Sequence, residues 1–159
     1  MDENYKLRGI VEYLVTDKNG NIKEKRVINN QIQDSGLVAI ASLLTSENPQ
    51  SATGFSYIAI GTGTGQGTGA TTLGGEISTG GGERKGVPDV TITSQTTTIV
   101  NDTTQFQALF EFTNSFAITE AGIFNAASGG DMLSYQDFAA INVTDGDNLQ
   151  ITWKVVSGR

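Results

Sequence analysis

The stretch with the most conspicuous capacity for chemistry is residues 61–86, where eleven of 26 residues are glycine. Backbone N–H groups unshielded by side chains can surround an anion, so the run invites comparison with phosphate-binding loops. The comparison fails in detail. A Walker loop requires Gly, four residues and then Gly-Lys-Ser/Thr, but Lys85 follows Arg84 and precedes Gly86. A dinucleotide fingerprint requires G-x-G-x-x-G between a strand and a helix, whereas Gly61, Gly63, Gly65, Gly67 and Gly69 strictly alternate and no helical pattern follows.

Asp145-Gly146-Asp147-Asn148 offers oxygen ligands of the kind calcium takes, without the later bidentate Glu of a helix-loop-helix site. An Asp-Gly turn between two strands accounts for the same residues. Any two of the seventeen acidic residues could meet at the ~5–10 Å a glycosidase needs, but nothing selects a pair. The chain has no histidine and no cysteine. That removes the Ser-His-Asp arrangement, the usual near-neutral base, thiolate chemistry and the commonest zinc ligands. The expectation is a protein that is not an enzyme and carries no cofactor or metal.

Aromatic residues could serve as stacking platforms. Trp153 could hold a sugar, but it alternates with Leu149, Ile151 and Val155 along one strand, which predicts burial. Phe106, Phe110 and Phe112, with Ala108, occupy alternate positions opposite Gln105, Gln107 and Glu111, which reads as a core stripe. The basic cluster Lys23-Glu24-Lys25-Arg26 reads as the solvated face of an outer strand rather than a nucleic-acid patch.

These residues need a scaffold of strands. Residues 7–16 are β-branched and aromatic, followed by the turn Asp17-Lys18-Asn19-Gly20 and a returning strand over 21–29. Further strands are predicted over 55–60, 90–100, 105–112, 117–125, 132–138 and 149–156, with turns at Asn101-Asp102, Ser128-Gly129-Gly130 and Asp145-Gly146. Leu37, Ile40, Ala41 and Leu44 fall at i, i+3, i+4 and i+7, predicting one short helix capped by Asp34 or Ser35, with Val38 and Leu43 widening its apolar surface. The fold class expected is mainly β: an antiparallel β-sandwich or barrel with one short helix and a long glycine-rich loop, in a single domain over 1–159. Residues 1–6 form an N-terminal arm in this reading and 61–86 a glycine-rich arm or loop, mobile by itself because few side chains offset its ordering cost.

Net charge is −7. Residues 1–30 are nearly balanced, with six basic and five acidic groups, while the remainder carries four basic and twelve acidic ones. Such a surface repels nucleic acid and anionic membranes, so neither is an expected partner. With no long apolar run, and with Met1-Asp2-Glu3-Asn4 unlike a signal peptide, a soluble product made in a cytoplasm is expected.

The segment Phe55-Ser56-Tyr57-Ile58-Ala59-Ile60-Gly61-Thr62-Gly63, then Ile118-Thr119-Glu120-Ala121-Gly122-Ile123-Phe124-Asn125, Gly130-Asp131-Met132-Leu133, Phe138-Ala139-Ala140-Ile141 and Asp147-Asn148-Leu149-Gln150-Ile151-Thr152-Trp153 follow one another in an order that resembles tailed-bacteriophage virion structural proteins. These are described variously as tail-fibre, collar or capsid-decoration components, and the likeness covers about residues 53–159. It implies a small, oligomeric, non-enzymatic virion protein. The expectation is a capsid-bound auxiliary protein, of decoration or head-fibre type. It would act as a homotrimer docked on the major capsid protein or other virion proteins. A tail-fibre, collar or tail-tip subunit is the alternative, and a host-glycan-binding module is the alternative of another class. Candidate assembly contacts are Met1, Asp2 and Tyr5 in the N-terminal arm and Gly63, Gly65, Gly67, Gly69, Arg84 and Lys85 in the glycine-rich segment. Deleting residues 63–82 is expected to leave the fold intact. From residues alone, Ile118, Ile123 and Phe124 supply core, Gly122 permits a bend or close approach, and Glu120 can reach a backbone N–H.

Overall fold

A computed structural model describes residues 6–43 and 53–158. Asp17 accepts hydrogen bonds from the backbone N–H of Asn19 (2.8 Å) and Asn21 (2.9 Å), and Gly20 takes a positive φ of 83°, so the expected turn forms. It joins β1 (Lys6–Thr16) to β2 (Ile22–Ile32) as an antiparallel hairpin. Seven strands follow: β3 (Tyr57–Gly61), β4 (Lys85–Gly86), β5 (Val90–Gln95), β6 (Thr103–Glu111), β7 (Phe116–Phe124), β8 (Met132–Val143) and β9 (Asn148–Gly158). Strand β8 runs past the predicted end at Phe138, because buried Ile141 and Val143 alternate with exposed Ala140 and Asn142 and continue the pleat.

All pairings are antiparallel, in the order β4-β3-β7-β8-β2-β1-β9-β6-β5. The fold is therefore mainly antiparallel β, a sheet that curls almost into a barrel. The curl turns at β2. Strand β2 pairs with β1 along most of its length, but with β8 only at Gln31 and Ile32. Where β2 and β8 diverge, the Arg26 guanidinium bridges the gap by donating to the carbonyls of Ala139 and Ala140. Its neighbours are also engaged: Lys23 pairs with Asp147, and Lys25 with Glu12 across to β1 (3.1 Å).

One core joins the two halves of the sheet. Val11, Tyr13, Phe106, Phe110, Ile151 and Trp153 come from one half, and Ile58, Ile60, Ile118, Ile123, Leu133 and Ile141 from the other. The phenylalanine stripe of β6 faces this core as expected, and Trp153 is fully buried. Trp153 is thus unavailable as a sugar platform.

The helix α1 (Asp34–Leu43) forms where predicted but is rotated from the expected face. Gly36 and Ala39 are buried, whereas Leu37, Val38 and Leu43 are exposed. The cause is close packing on β8: an ideal Cβ on Gly36 would lie 2.7 Å from the Leu133 backbone, so the helix turns its smallest residues inward. Ser35 strengthens the contact by donating to the Met132 carbonyl at 2.9 Å. Leu44 lies outside the described residues.

Candidate functional site

Strand β7 has a register irregularity between Ile118 and Glu120. From there Glu120, Gly122 and Phe124 lie on the outer face of the sheet, while Ala121 and Ile123 enter the core. Glu120 is fully buried on that outer face, because residues 61–86 lie across it. Its Oε1 accepts the backbone N–H of Gly63 (2.9 Å) and Gly75 (2.7 Å), and its Oε2 accepts that of Gly74 (3.0 Å) and the Tyr135 hydroxyl (3.3 Å). A buried carboxylate is tolerated only when its lone pairs are filled in this way. Burial pushes the Tyr135 hydroxyl up to about 12, assisted by the negative charges of Glu120 and Asp137 and opposed by a hydrogen bond with the Gln66 backbone.

Asp137 stands directly opposite Glu120 on β8 and accepts the N–H of Gly65 at 3.0 Å. Thr119 donates to the Gly63 carbonyl at 2.7 Å. Further along, the segment is held by the Asp34 N–H, which donates to the Thr68 carbonyl at 2.9 Å, and by the buried Gln33 side chain, whose amide, assigned with its nitrogen facing them, donates to the carbonyls of Thr68 and Gly67. Beneath the loop, Leu73 packs with Ala59, Phe124, Met132 and Tyr135 in a second, smaller core.

Part of the glycine content follows from this geometry. Residues 61–63 and 74–76 run antiparallel, with the Thr62 N–H donating to the Gly75 carbonyl at 2.8 Å. A Cβ on Gly63 would lie 2.6 Å from Glu120 Oε1 and 2.7 Å from the Gly74 backbone. Gly67 would meet nothing within 4 Å.

The candidate contact residues thus divide. Gly63 and Gly65 are bound to carboxylates of the same chain, and Gly67 and Gly69 are exposed. Arg84 is committed internally: its guanidinium forms a two-pronged pair with Glu76 (2.8 and 2.7 Å), donates to the carbonyls of Ala126 and Gly129, and stacks 3.9 Å from the Phe124 ring centroid. Lys85 belongs to β4, its ammonium 5.9 Å from the Phe110 ring centroid. Met1, Asp2 and Tyr5 lie outside the described residues. The expectation that residues 63–82 can be removed without harm is corrected, since their loss would uncover the second core and strand the Glu120 carboxylate.

Asp147 accepts hydrogen bonds from the Thr144 backbone (2.8 Å) and hydroxyl (3.0 Å) and from Lys23. Burial pulls its pKa up, but these partners outweigh that and hold it low. With Gly146 at a φ of 86°, the segment is the Asp-Gly turn. Among the described residues, no group of three or more acidic side chains is placed to hold a metal ion.

The remaining feature is an apolar end. A cleft of about 270 Å³ is lined by Leu7, Ile40, Phe55, Phe106, Leu133 and Val155. The helix on its rim exposes Leu37, Val38 and Leu43. Ser157, also on the rim, donates to the Asp102 carbonyl at 2.8 Å and so ties in the β5–β6 loop, whose tip exposes Ile99 and, at 77%, Val100. The Asp102 carboxylate accepts the N–H groups of Thr97, Thr98 and Ile99, each at 2.8 Å. Those bonds, Ile99 and Thr97 foremost, keep its pKa well below the usual carboxylate range. Sequence reasoning missed this loop because Ile99 and Val100 read as the end of a strand. The signal that could have found it is Asp102 a few residues after three threonines, the pattern of a side chain capping a turn. No protein-family model, curated protein or solved structure matches the chain.

Proposed function

We propose that the chain is a non-enzymatic structural component of a tailed-bacteriophage particle, acting through self-association and docking. The observation that carries this reading is the division of labour between carboxylates and apolar groups. Glu120, Asp102 and Asp147 are saturated by hydrogen bonds that shape the protein, while apolar residues of α1 and of the β5–β6 tip stand exposed around an apolar cleft. Exposed apolar groups clustered in this way mark contact surfaces. The segment order that resembles virion proteins supports the particle context.

A capsid auxiliary of decoration or head-fibre type is the leading position, and a tail-fibre, collar or tail-tip subunit the second. Quantitative mass spectrometry of purified particles separates them: decoration gives copy numbers comparable with the capsid lattice, and a tail part gives few. Absence of the chain from particles overturns the proposal. A glycan-binding role loses its sequence-level platform with the burial of Trp153.

A further inference from the structure

The nine-stranded order leaves two edges, β4 and β5, and the chain treats them oppositely. Strand β4 has two residues, with Arg84 before it and Pro88 just after. Shortness, charge and proline are the devices that stop an edge from pairing with another chain. Strand β5 is longer and has neither charge nor proline within its span, Pro88 and Asp89 preceding its first residue. Its six residues are Val90-Thr91-Ile92-Thr93-Ser94-Gln95, and their register with β6 is unbroken from Val90↔Ala108 to Gln95↔Thr103. All but Val90 are exposed, and Ile92, an apolar side chain on the core-facing side, is 39% exposed. Among the described residues, nothing hydrogen-bonds to the backbone of β5 on the side away from β6.

We propose that β5 pairs antiparallel with β5 of a second copy of this chain, across a two-fold axis at Ile92. The sequence is self-complementary in that register. Directly opposed residues share a face in an antiparallel ladder, so Ile92 meets its own counterpart, Thr91 meets Thr93 and Val90 meets Ser94. Each is a pair that a sheet favours or tolerates, and no like charges oppose. The pairing satisfies the free edge and covers Ile92. It also places the exposed Ile99 and Val100 of each copy on the hairpin that carries the interface. The result is one sheet continuous through two subunits, a two-fold dimer in place of the expected trimer. The inference rests on the sheet edge alone and holds in or out of a virus particle.

The test uses the full chain. Light scattering coupled to size exclusion is expected to give twice the 16.8 kDa chain mass, falling to the single mass on dilution. The double variant Thr91→Lys/Thr93→Lys sets ammonium groups opposite one another on both sides of the axis, and it is expected to give the single mass while its circular dichroism stays native. The surface variant Gln107→Lys, one strand away, keeps the dimer. Register is read independently by oxidation: Ile92→Cys forms a covalent dimer, whereas Ser94→Cys, opposed by Val90, does not. A native wild-type monomer at all concentrations overturns the proposal, including where an extended segment of another protein pairs with β5 instead. A trimer, a mass indifferent to the lysine pair, or equal cross-linking at positions 92 and 94 overturns it as well.

Discussion

The curled sheet has two outer faces, and they are finished in opposite ways. Over β3, β7 and β8 the face is covered by a glycine-rich loop, under which Glu120 is fully buried and Leu73 packs into a second core. Over β2, β1, β9 and β6 it is bare: Val27, Ile10, Glu12, Thr152, Lys154 and Gln105 line an open hollow of about 310 Å³. The bare face carries no loop backbone, and polar and apolar side chains alike stand in water there. The covered face needs acceptors rising from the sheet, because a loop with few side chains brings unpaired N–H groups with it. A buried carboxylate, costly by itself, is the acceptor with enough lone pairs to take several at once.

The sharpest way to break this contrast is to remove the acceptor. Glu120→Ala leaves the N–H groups of Gly63, Gly74 and Gly75 without their partner, and a loss of about 3–4 kcal/mol is expected from a buried network of this kind. Glu120→Gln keeps one oxygen but sets an NH₂ group against donors, so its loss should be intermediate. Chemical denaturation gives the totals, and hydrogen exchange at the three glycine amides tells whether the loop opened. If Glu120→Ala is as stable as the parent, the loop is not held by its carboxylate.

The apolar half of the contrast is tested by truncating one leucine on each face. Leu73→Ala removes the plug of the second core and should cost about 2–3 kcal/mol. Leu109, 46% exposed on the bare face, should change stability by no more than about 0.5 kcal/mol when made alanine. Equal effects at the two positions would mean that the loop does not shield what lies beneath it.

Glycines sharpen the same point on a smaller scale. Gly63→Ala drives a Cβ into Glu120 and the Gly74 backbone and should cost about 1–3 kcal/mol. Gly67→Ala, facing open space, should be neutral or gain about 0.4–1 kcal/mol by restricting the unfolded chain. Thermal melts of the pair check both signs.

What the sequence disclosed follows the range of the forces involved. The β1–β2 hairpin was legible because Asp17, Asn19 and Gly20 act within a few residues of one another, and the β6 stripe because alternation is a local pattern. The reach of Glu120 to a backbone N–H was legible as a capability, but its partners lie some 45 to 57 residues earlier in the chain, beyond any local signal. The helix misled for another reason. Periodicity assigns the largest apolar side chains to the interior, whereas α1 approaches the Leu133 backbone too closely for any residue but glycine at position 36.

The β5–β6 loop supplies an exposed counterpart to the Glu120 clamp, since Asp102 likewise gathers three backbone N–H groups on one carboxylate. Its pKa is depressed in the folded chain, so its stabilisation is fully present above the unfolded value of about 4 and is lost as pH falls through the lower folded value. Asp147, also depressed, behaves with the same sign, and both therefore weaken the protein in acid and not in alkali. Water competes for the Asp102 bonds, so acidification should release the amides of Thr97, Thr98 and Ile99 in NMR spectra before the sheet melts. Asp102→Asn should produce the same local change at neutral pH with the melting temperature nearly unmoved. If the three amides instead hold their shifts until global unfolding, or move on raising pH, the carboxylate does not organise the tip, and the exposed position of Ile99 and Val100 needs another cause.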